Sequence, residues 1–156
     1  MAQYTIKKWL KEEPIEDILA LYRANVSSKK YQQSLSENIV THIESNLQTY
    51  LALDKDKKAI AFISFFFHLP EWSERMSIVL LYVHPDWHSN GIGKALMNTV
   101  LSTGKFPVAV MLNEQKNIRY YQQFGFKLKP VEDHQKCMVM RLTIDNYKQY
   151  LNKKIA

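Results

Sequence analysis

A polar loop with two glycines and a lysine joins an apolar stretch to a helical one between Tyr82 and Met97. Gly91 and Gly93 bracket an isoleucine, and Lys94 follows them directly. The first turn of a helix leaves backbone N–H groups without acceptors and carries roughly half a positive charge. Glycines at this point allow left-handed backbone angles and let a ligand approach the main chain. The pattern is typical of a site for phosphate oxygens, with Lys94 as an added cation.

Three phosphate-binding motifs compete for this segment. The nucleoside triphosphate loop needs an earlier glycine and a Ser or Thr after the lysine, but Ala95 stands there, so that motif fails. A dinucleotide fingerprint fits Gly91 and Gly93 but meets leucine where its third glycine belongs. The third motif is an acyl-coenzyme A loop, R/Q-x-x-G-x-G/A after a strand that ends in V-x-P. It fits at Val83, Pro85 and the two glycines.

The segment resembles the coenzyme A-binding motif of the GNAT superfamily of N-acetyltransferases. A second segment, "NIRYYQQFGFK", resembles that family's A-x-x-F-Y-x-x-x-G-F stretch and matches it at Tyr121, Gly125 and Phe126. The order of the predicted elements also agrees with the family from residue 3 to about residue 143. Two motifs in the right order, separated by one strand, are more specific than either motif alone.

The chain departs from the family pattern at three places. His88 stands where the family usually has Arg or Gln, and a neutral imidazole donates one hydrogen bond without reliably supplying charge. Asn117 replaces a common alanine, and Glu114 with the adjacent Asn113 replaces a frequent asparagine. The histidine at position 88 therefore predicts weaker or pH-dependent affinity for the pyrophosphate, and which of the polar groups at positions 113, 114 and 117 meets the pantetheine arm stays open.

The resemblance implies transfer of an acetyl group from acetyl-CoA to a primary amine of a small molecule or protein, by direct attack in a ternary complex. The end of the strand before the loop would pair with the pantetheine amides, and the loop and helix start would hold the pyrophosphate. The implied cofactor-binding residues are Leu81, Tyr82, Val83, His88, Ser89, Asn90, Gly91, Ile92, Gly93, Lys94, Asn113 and Asn117.

Acyl transfer from a thioester to an amine poses two proton problems. An aliphatic amine has a pKa near ~10.4, so its neutral form costs roughly 4.6 kcal/mol at pH 7. The leaving thiolate, whose parent thiol has a pKa near ~8.5, needs only a weak acid such as a tyrosine hydroxyl. The resemblance assigns Tyr121 to that role. Tyr120 and Phe124, four residues apart, share the core-facing side of the same helix better.

No general base is assigned from the sequence. Many relatives have a glutamate on the strand that reads "SIVLLYV", and Val79 occupies that place. Glu71, Glu74 and His84 are nearby alternatives, and a bound water is another. The identity of the acceptor amine stays open, because the segment between the first two predicted helices has no recognisable signature.

The elements that position these residues follow from hydrophobic spacing. The sequence predicts a first strand, two helices beginning after Pro14 and at Ser34 or Ser36, and a hairpin turning at Asp54 to Lys58. It also predicts a strand whose apolar run from Ile78 to Val83 indicates burial on both faces. Helices and strands then alternate, with Gly125 as a left-handed residue closing the Tyr121 helix. The terminal helix is predicted to pack through Ile144, Tyr147 and Leu151.

These elements predict one α/β (α+β mixed) domain over residues 1–156, a GNAT-like and mostly antiparallel twisted sheet. We expect about seven strands, about four flanking helices and a C-terminal helix that docks on its own domain or on a second subunit as a homodimer. A catalytically inactive coenzyme A-binding sensor of the same fold is the alternative function.

The composition narrows the class of protein. Of the 156 residues, 46% are hydrophobic, and the single cysteine, Cys137, suits a reducing compartment. We expect a cytoplasmic protein with no membrane span. The net charge of +6 is spread in scattered lysine pairs, which does not favour nucleic acid as the partner. The five histidines lack ligand spacing, so no metal site is predicted.

Overall fold

The computed structural model describes residues 3–10, 13, 15–24, 48–71, 73–112, 117–129 and 138–155. The strands in this part of the chain are β1 (Tyr4–Lys8), β2 (Gln48–Asp54), β3 (Ala59–Phe67), β4 (Met76–Val83), β5 (Val108–Leu112), β6 (Lys127–Leu128) and β7 (Met138–Leu142). The helices are α1 (Glu16–Ala24), α2 (Ile92–Leu101), α3 (Ile118–Gln122) and α4 (Ile144–Ile155), with a 3-10 turn at Pro85–Trp87.

The seven strands form one mixed sheet in the order β1-β2-β3-β4-β5-β7-β6. The β4–β5 pair is parallel, whereas the β1–β2, β2–β3, β5–β7 and β6–β7 pairs are antiparallel. The predicted seven-stranded, mostly antiparallel fold is confirmed. The predicted second helix, the loop residue Asn113 and Cys137 lie outside the described residues.

The chain divides into two compact units, of which the first comprises Met1–Phe66 and Leu80–Thr103. Its α1 carries acidic residues in the first turn and Arg23 in the last, the arrangement that complements the helix dipole. The helix buries Ile18, Leu21 and Tyr22 in a cluster that includes Phe62 of β3. This packing confirms the helix that the sequence predicts after Pro14.

The second unit comprises Phe67–Val79 and Gly104–Ala156. Its core is aromatic, with Phe124 and Phe126 fully or almost fully buried. Tyr150 of α4 meets Phe124 edge-on at 5.6 Å, and Tyr147 stacks on Phe106 at 5.0 Å. Tyr147 thus packs as predicted, but the prediction that α4 also packs through Ile144 and Leu151 is wrong, because the aromatic partners select the tyrosine face. Those two side chains are 43% and 38% exposed.

Strand β4 is not buried on both faces, which corrects the expectation for its apolar run. Ile78 is buried, but Val79 is 37% exposed and the residues from Leu80 to Val83 are half-buried. The strand also carries one residue more than its neighbour. Two hydrogen bonds join these strands, one from His68 N–H to Arg75 O and one from His84 N–H to Ile60 O. Between them the chain advances by eight residues on the β3 side, from 60 to 68, and by nine on the β4 side, from 75 to 84. That excess of one residue is the count that defines a β-bulge.

No helix in the described part of the chain is long and apolar enough to cross a membrane.

Gly125 follows α3 with φ +100, and its N–H donates to Gln122 O at 3.0 Å. The left-handed backbone predicted here is confirmed, although the helix itself ends earlier, at Gln122. A Cβ at Gly125 would lie 2.9 Å from Asn146 O of α4, whereas one at Gly104, with φ +73, would meet nothing within 4 Å.

Gly125→Ala is expected to lower the free energy of unfolding by about 3 kcal/mol, because strain and a backbone collision add. Gly104→Ala is the matched control and should cost only about 1 kcal/mol, since it introduces left-handed strain alone. Urea unfolding followed by circular dichroism measures both. Equal losses in the two variants would contradict the close contact with α4.

Candidate active site

The loop after β4 begins with a short 3-10 turn that His84 caps. The Nδ1 atom of His84 accepts a hydrogen bond from Asp86 N–H at 3.1 Å. Pro85 occupies the first position of the turn, where its missing N–H costs nothing. This hydrogen bond thus occupies the unprotonated ring nitrogen of His84, which is the atom that would accept a proton if His84 were the base.

His88 folds back onto the end of β4. Its Nε2 atom lies 2.9 Å from Val83 O, and since a carbonyl only accepts, the ring donates this bond. The side chain of Asn90 donates to Trp87 O and His88 O at 3.1 and 3.2 Å. These bonds fix the loop against its strand, so His88 acts here as a donor within the loop.

Two residues with left-handed backbone lead into α2. Ser89 has φ +69 and Gly91, the N-cap residue, has φ +75. A serine with left-handed backbone angles lowers the free energy of unfolding by roughly 1 kcal/mol, and such strain concentrates at functional sites. Gly91 has no side chain to cap the helix, and the first intrahelical bond runs from Ala95 N–H to Gly91 O at 3.0 Å.

The start of α2 therefore presents backbone donors without acceptors. Within the described residues, no hydrogen bond uses the N–H groups of Ile92, Gly93 or Lys94. The first turn contains no acidic residue, and the Lys94 side chain is exposed. The helix is held in place by its opposite face, which buries Ile92, Leu96, Met97, Val100 and Leu101. This geometry is what binding of an anion requires.

The strand before the loop extends past its pairing with β5. The parallel register covers Met76↔Val108 to Ile78↔Val110, while β4 continues to Val83. Leu81 and Val83 lie in this extension and are half-buried.

Tyr121, the sequence-predicted acid, belongs to α3 in the second unit and is 8% exposed. Its ring meets Tyr120 and Phe126 edge-on at 5.2 and 5.6 Å. Asn117 caps the same helix without a side-chain hydrogen bond and is exposed. Tyr121 is thus well packed on the aromatic core, which restricts the directions its hydroxyl can take.

Tyr120 differs from its neighbour in its electrostatics. Burial, followed by the nearby Tyr150, raises the pKa of Tyr120 to about 12. Its hydroxyl oxygen is buried and has no hydrogen-bond partner among the described residues. Tyr120 packs on Phe124 at 5.5 Å, as the sequence predicts. A raised pKa makes this hydroxyl a poor proton donor.

The structure separates the sequence-based candidates for the base. Glu74 accepts a bond from Lys129 Nζ at 2.7 Å and one from Ser73 Oγ at 2.6 Å. These bonds, the first contributing most, lower the pKa of Glu74 from 4.5 to about 2. A carboxylate with that pKa is a weak proton acceptor. Glu71 lies exposed in the β3–β4 turn.

A pair formed by a histidine just after β3 and a serine of β4 was missed by sequence reasoning. His68 Nε2 lies 2.7 Å from Ser77 Oγ, and both side chains are half-buried. The signal in the sequence is that His68 interrupts the apolar run "AIAFISFFFHL". The interruption does not indicate a partner, because Ser77 meets it only through strand pairing.

A profile of the acetyltransferase (GNAT) family matches residues 6–126, more than half of the chain. The chain belongs to the GNAT acetyltransferase family. The family match covers the loop, α2 and Tyr121, so the resemblance predicted from the two motifs is confirmed. A search of curated protein sequences finds no match.

Solved structures share the fold at low sequence identity. PH1933 from Pyrococcus horikoshii OT3 superposes with a TM-score of 0.75 at 19% identity, covering 90% of this chain and 98% of its own. The PaiA N-acetyltransferase from Thermoplasma acidophilum, solved in complex with coenzyme A, gives 0.67 at 17% identity, with 89% and 99% covered. A GNAT-family acetyltransferase from Staphylococcus aureus Mu50 gives 0.68 at 15% identity, with 90% and 99% covered.

Glu74→Gln is expected to reduce the free energy of unfolding by roughly 1–3 kcal/mol at pH 7, because it removes a carboxylate that accepts two short hydrogen bonds. Since folding lowers this pKa from 4.5 to about 2, the contribution is complete above pH 4.5 and disappears as the pH falls towards 2. Wild type and variant should therefore converge in acid, as measured by urea unfolding at several pH values.

Glu13→Gln is the control, since Glu13 accepts from Lys7 at 2.6 Å in a pair whose side chains are 27% and 43% exposed. It should change stability by less than about 1 kcal/mol. A difference between wild type and the Glu74 variant that stays constant from pH 7 to pH 2 would refute the low pKa.

Proposed function

We propose that this GNAT-family protein is an acetyl-CoA-dependent N-acetyltransferase that acts on a primary amine. The observation that carries the proposal is the start of α2, where the left-handed residues Ser89 and Gly91 precede three backbone N–H groups without described acceptors. A diphosphate is the part of acetyl-CoA that fits such a set of donors, because its oxygens accept several bonds at once.

The residues of the loop divide the work of holding the diphosphate. The N–H groups of Ile92, Gly93 and Lys94 bind oxygens, and the exposed Lys94 side chain supplies the positive charge. His88 already donates Nε2 to Val83 O, so it keeps the loop in place. Ser89 and Asn90 shape the same turn. This division accounts for a loop without the family's usual Arg or Gln.

The extension of β4 is the proposed track for the pantetheine arm. Its backbone from Leu81 to Val83 continues beyond the register with β5, and amides of an extended ligand pair with such a strand as a further strand would. The half-buried Tyr82 packs against Tyr22 and Phe62, which holds the track rigid. We assign Asn117 to the same arm. Asn113, which the sequence also predicts there, lies outside the described residues.

The chemistry is one nucleophilic substitution at the thioester carbon. The neutral amine nitrogen forms the new C–N bond, the C–S bond breaks, and the sulfur leaves with the bonding electrons. Tyr121 gives its hydroxyl proton to that sulfur. Because the chain keeps Tyr121 in packed contact with Phe126, the hydroxyl is positioned without loss of side-chain entropy at the moment of reaction.

Tyr121→Phe is expected to lower kcat about 100-fold, since it removes the proton donor and leaves the ring packing intact. Affinity for acetyl-CoA, measured by titration calorimetry, should stay within about twofold. Tyr120→Phe is the matched control: it removes a neighbouring hydroxyl that has no described partner, so turnover should be unchanged. Equal effects of the two variants would rule out Tyr121 as the acid.

Gly91→Ala is expected to weaken acetyl-CoA binding about tenfold or more, because alanine resists φ +75 and shifts the first turn of α2. Gly104→Ala introduces the same strain at φ +73 with equal open space and should leave the affinity unchanged. Calorimetry measures both affinities.

Binding of acetyl-CoA without its consumption over a panel of amines would instead support the sensor alternative.

A further inference from the structure

Asn90, in the turn that leads into α2, is the only asparagine of the chain that a glycine follows. In an Asn–Gly pair the side-chain amide reacts readily with the next backbone nitrogen, because glycine leaves that nitrogen unshielded and bends freely. The chain's other asparagines are followed by residues with side chains. Position 90 is therefore where this reaction is expected first.

The surroundings of Asn90 leave the reacting atoms open. Ser89, Asn90 and Gly91 are all exposed, so water reaches the turn. Among the described residues, no hydrogen bond uses the Gly91 N–H, so its nitrogen is not tied to an acceptor. A Cβ placed on Gly91 would meet nothing within 4 Å. This open space leaves room for a ring to form beside the backbone.

Two hydrogen bonds hold the Asn90 amide in the turn. Its Nδ2 atom donates to Trp87 O at 3.1 Å and to His88 O at 3.2 Å. Both bonds are at the long end of the range for N–H···O contacts. Both are also exposed, so water can take their place at little cost in free energy. They position the amide without burying it.

We propose that Asn90 is a site of spontaneous deamidation, and that the carboxylate formed there switches off acetyl-CoA binding at the start of α2. The loss of binding rests on the proposed function, whereas the deamidation does not depend on it. The reaction needs water as its only partner, and its product is permanent unless another enzyme repairs it.

The atoms of the reaction balance in two steps. The Gly91 nitrogen attacks the side-chain carbonyl carbon of Asn90 and forms a new C–N bond. The bond from that carbon to Nδ2 breaks, and Nδ2 leaves as ammonia with the proton that the Gly91 nitrogen gives up. Water then opens the resulting cyclic imide at either of its two carbonyl groups. The products are an aspartate or an isoaspartate at position 90.

A carboxylate at position 90 reverses the contacts that the amide makes. It has no hydrogen to donate, so its oxygens repel the carbonyl oxygens of Trp87 and His88 and the side chain leaves them. The N–H groups of Ile92, Gly93 and Lys94 follow closely in the chain and have no described acceptors. The new charge competes with the diphosphate for these donors and repels it.

The isoaspartate product acts on the backbone as well. Its main chain runs through the side-chain carbon and is one methylene longer between positions 90 and 91. The extra length displaces the turn that sets Gly91 at φ +75. The helix itself does not lose stability from the new charge, because its first turn contains no acidic residue and its dipole favours an anion at this end.

The first test follows the amide itself. The full-length protein is kept in mildly alkaline buffer, digested with trypsin at intervals and analysed by mass spectrometry that separates aspartate from isoaspartate. The peptide of residues 76–94 should lose its amide and give both products. Asn152, which is exposed on α4 and followed by a lysine, is the internal control and should stay intact.

Loss of the Asn90 amide no faster than that of Asn152 overturns the proposal. So does an intact amide in the folded protein when the chain unfolded in guanidinium chloride loses it, since the bonds to Trp87 and His88 then protect it. With acetyl-CoA at about ten times its dissociation constant, about a tenth of the protein is free, so conversion should slow about tenfold. Equal rates with and without acetyl-CoA overturn the link between the turn and the ligand.

The second test measures the consequence for binding. Asn90→Asp should weaken acetyl-CoA binding about tenfold or more in calorimetry, with no loss in the free energy of unfolding. Asn152→Asp adds the same charge on α4 and should leave the affinity unchanged. The longer side chain of Asn90→Gln does not close the same ring. Its initial affinity should therefore persist through an incubation in which the wild type loses binding in proportion to conversion.

Wild-type affinity in Asn90→Asp, or equal decay of binding in the wild type and Asn90→Gln, overturns the switch. Fresh wild-type protein that binds no acetyl-CoA overturns the proposed function and the switch with it. In that case the mass spectra still decide whether Asn90 deamidates, so the two failures are distinguishable.

Discussion

Three backbone N–H groups at the start of α2 are the feature on which the proposed chemistry depends. A helix that begins at a residue with a side-chain cap would satisfy some of these donors itself. Here the N-cap is Gly91, which has no side chain, and the preceding loop is closed by its own bonds from His88 and Asn90. The donors are therefore left for a ligand. Placing these donors at the loop requires a strained, left-handed backbone at Ser89.

The two faces of the second unit's strands have different tasks. One face is an aromatic and aliphatic core that fixes α3 and α4, with the close approach at Gly125 leaving no room for a side chain. The other face carries the polar residues Ser77, Arg141 and Lys127, which are linked across the sheet by strand pairing through Ala109. A rigid core beneath polar groups keeps their separations constant. The same strands thus carry a packed core on one face and polar groups on the other.

The sequence predicts the parts of this protein that depend on local pattern. Gly91, Gly125, the proline after β4 and the charged hairpin at Asp54–Lys58 act within a few residues, and the structure agrees with each. For α4, the sequence correctly predicts Tyr147 but predicts Ile144 and Leu151 in place of Tyr150, because Phe124, the partner of Tyr150, lies more than twenty residues away in the chain. The apolar run of β4 likewise indicated two-sided burial, although burial is decided by what covers the strand.

The pairing of polar residues across the sheet could not be found from the sequence at all. Ser77, Ala109, Arg141 and Lys127 come from four strands and meet only through register. His88 shows the reverse case: its position in a motif indicated a contact with phosphate, while its ring bonds to Val83 O. Spacing identifies a loop, and the hydrogen bonds determine what each side chain does in it.

A nitrogen-15 NMR titration with acetyl-CoA tests the central claim most directly. The amide signals of Ile92, Gly93 and Lys94 should show the largest shifts, moving downfield as their N–H groups bond to the diphosphate, and acetyl-pantetheine should fail to produce them. If acetyl-CoA binds while these three amides stay in place, the diphosphate does not rest at the start of α2 and the account is wrong.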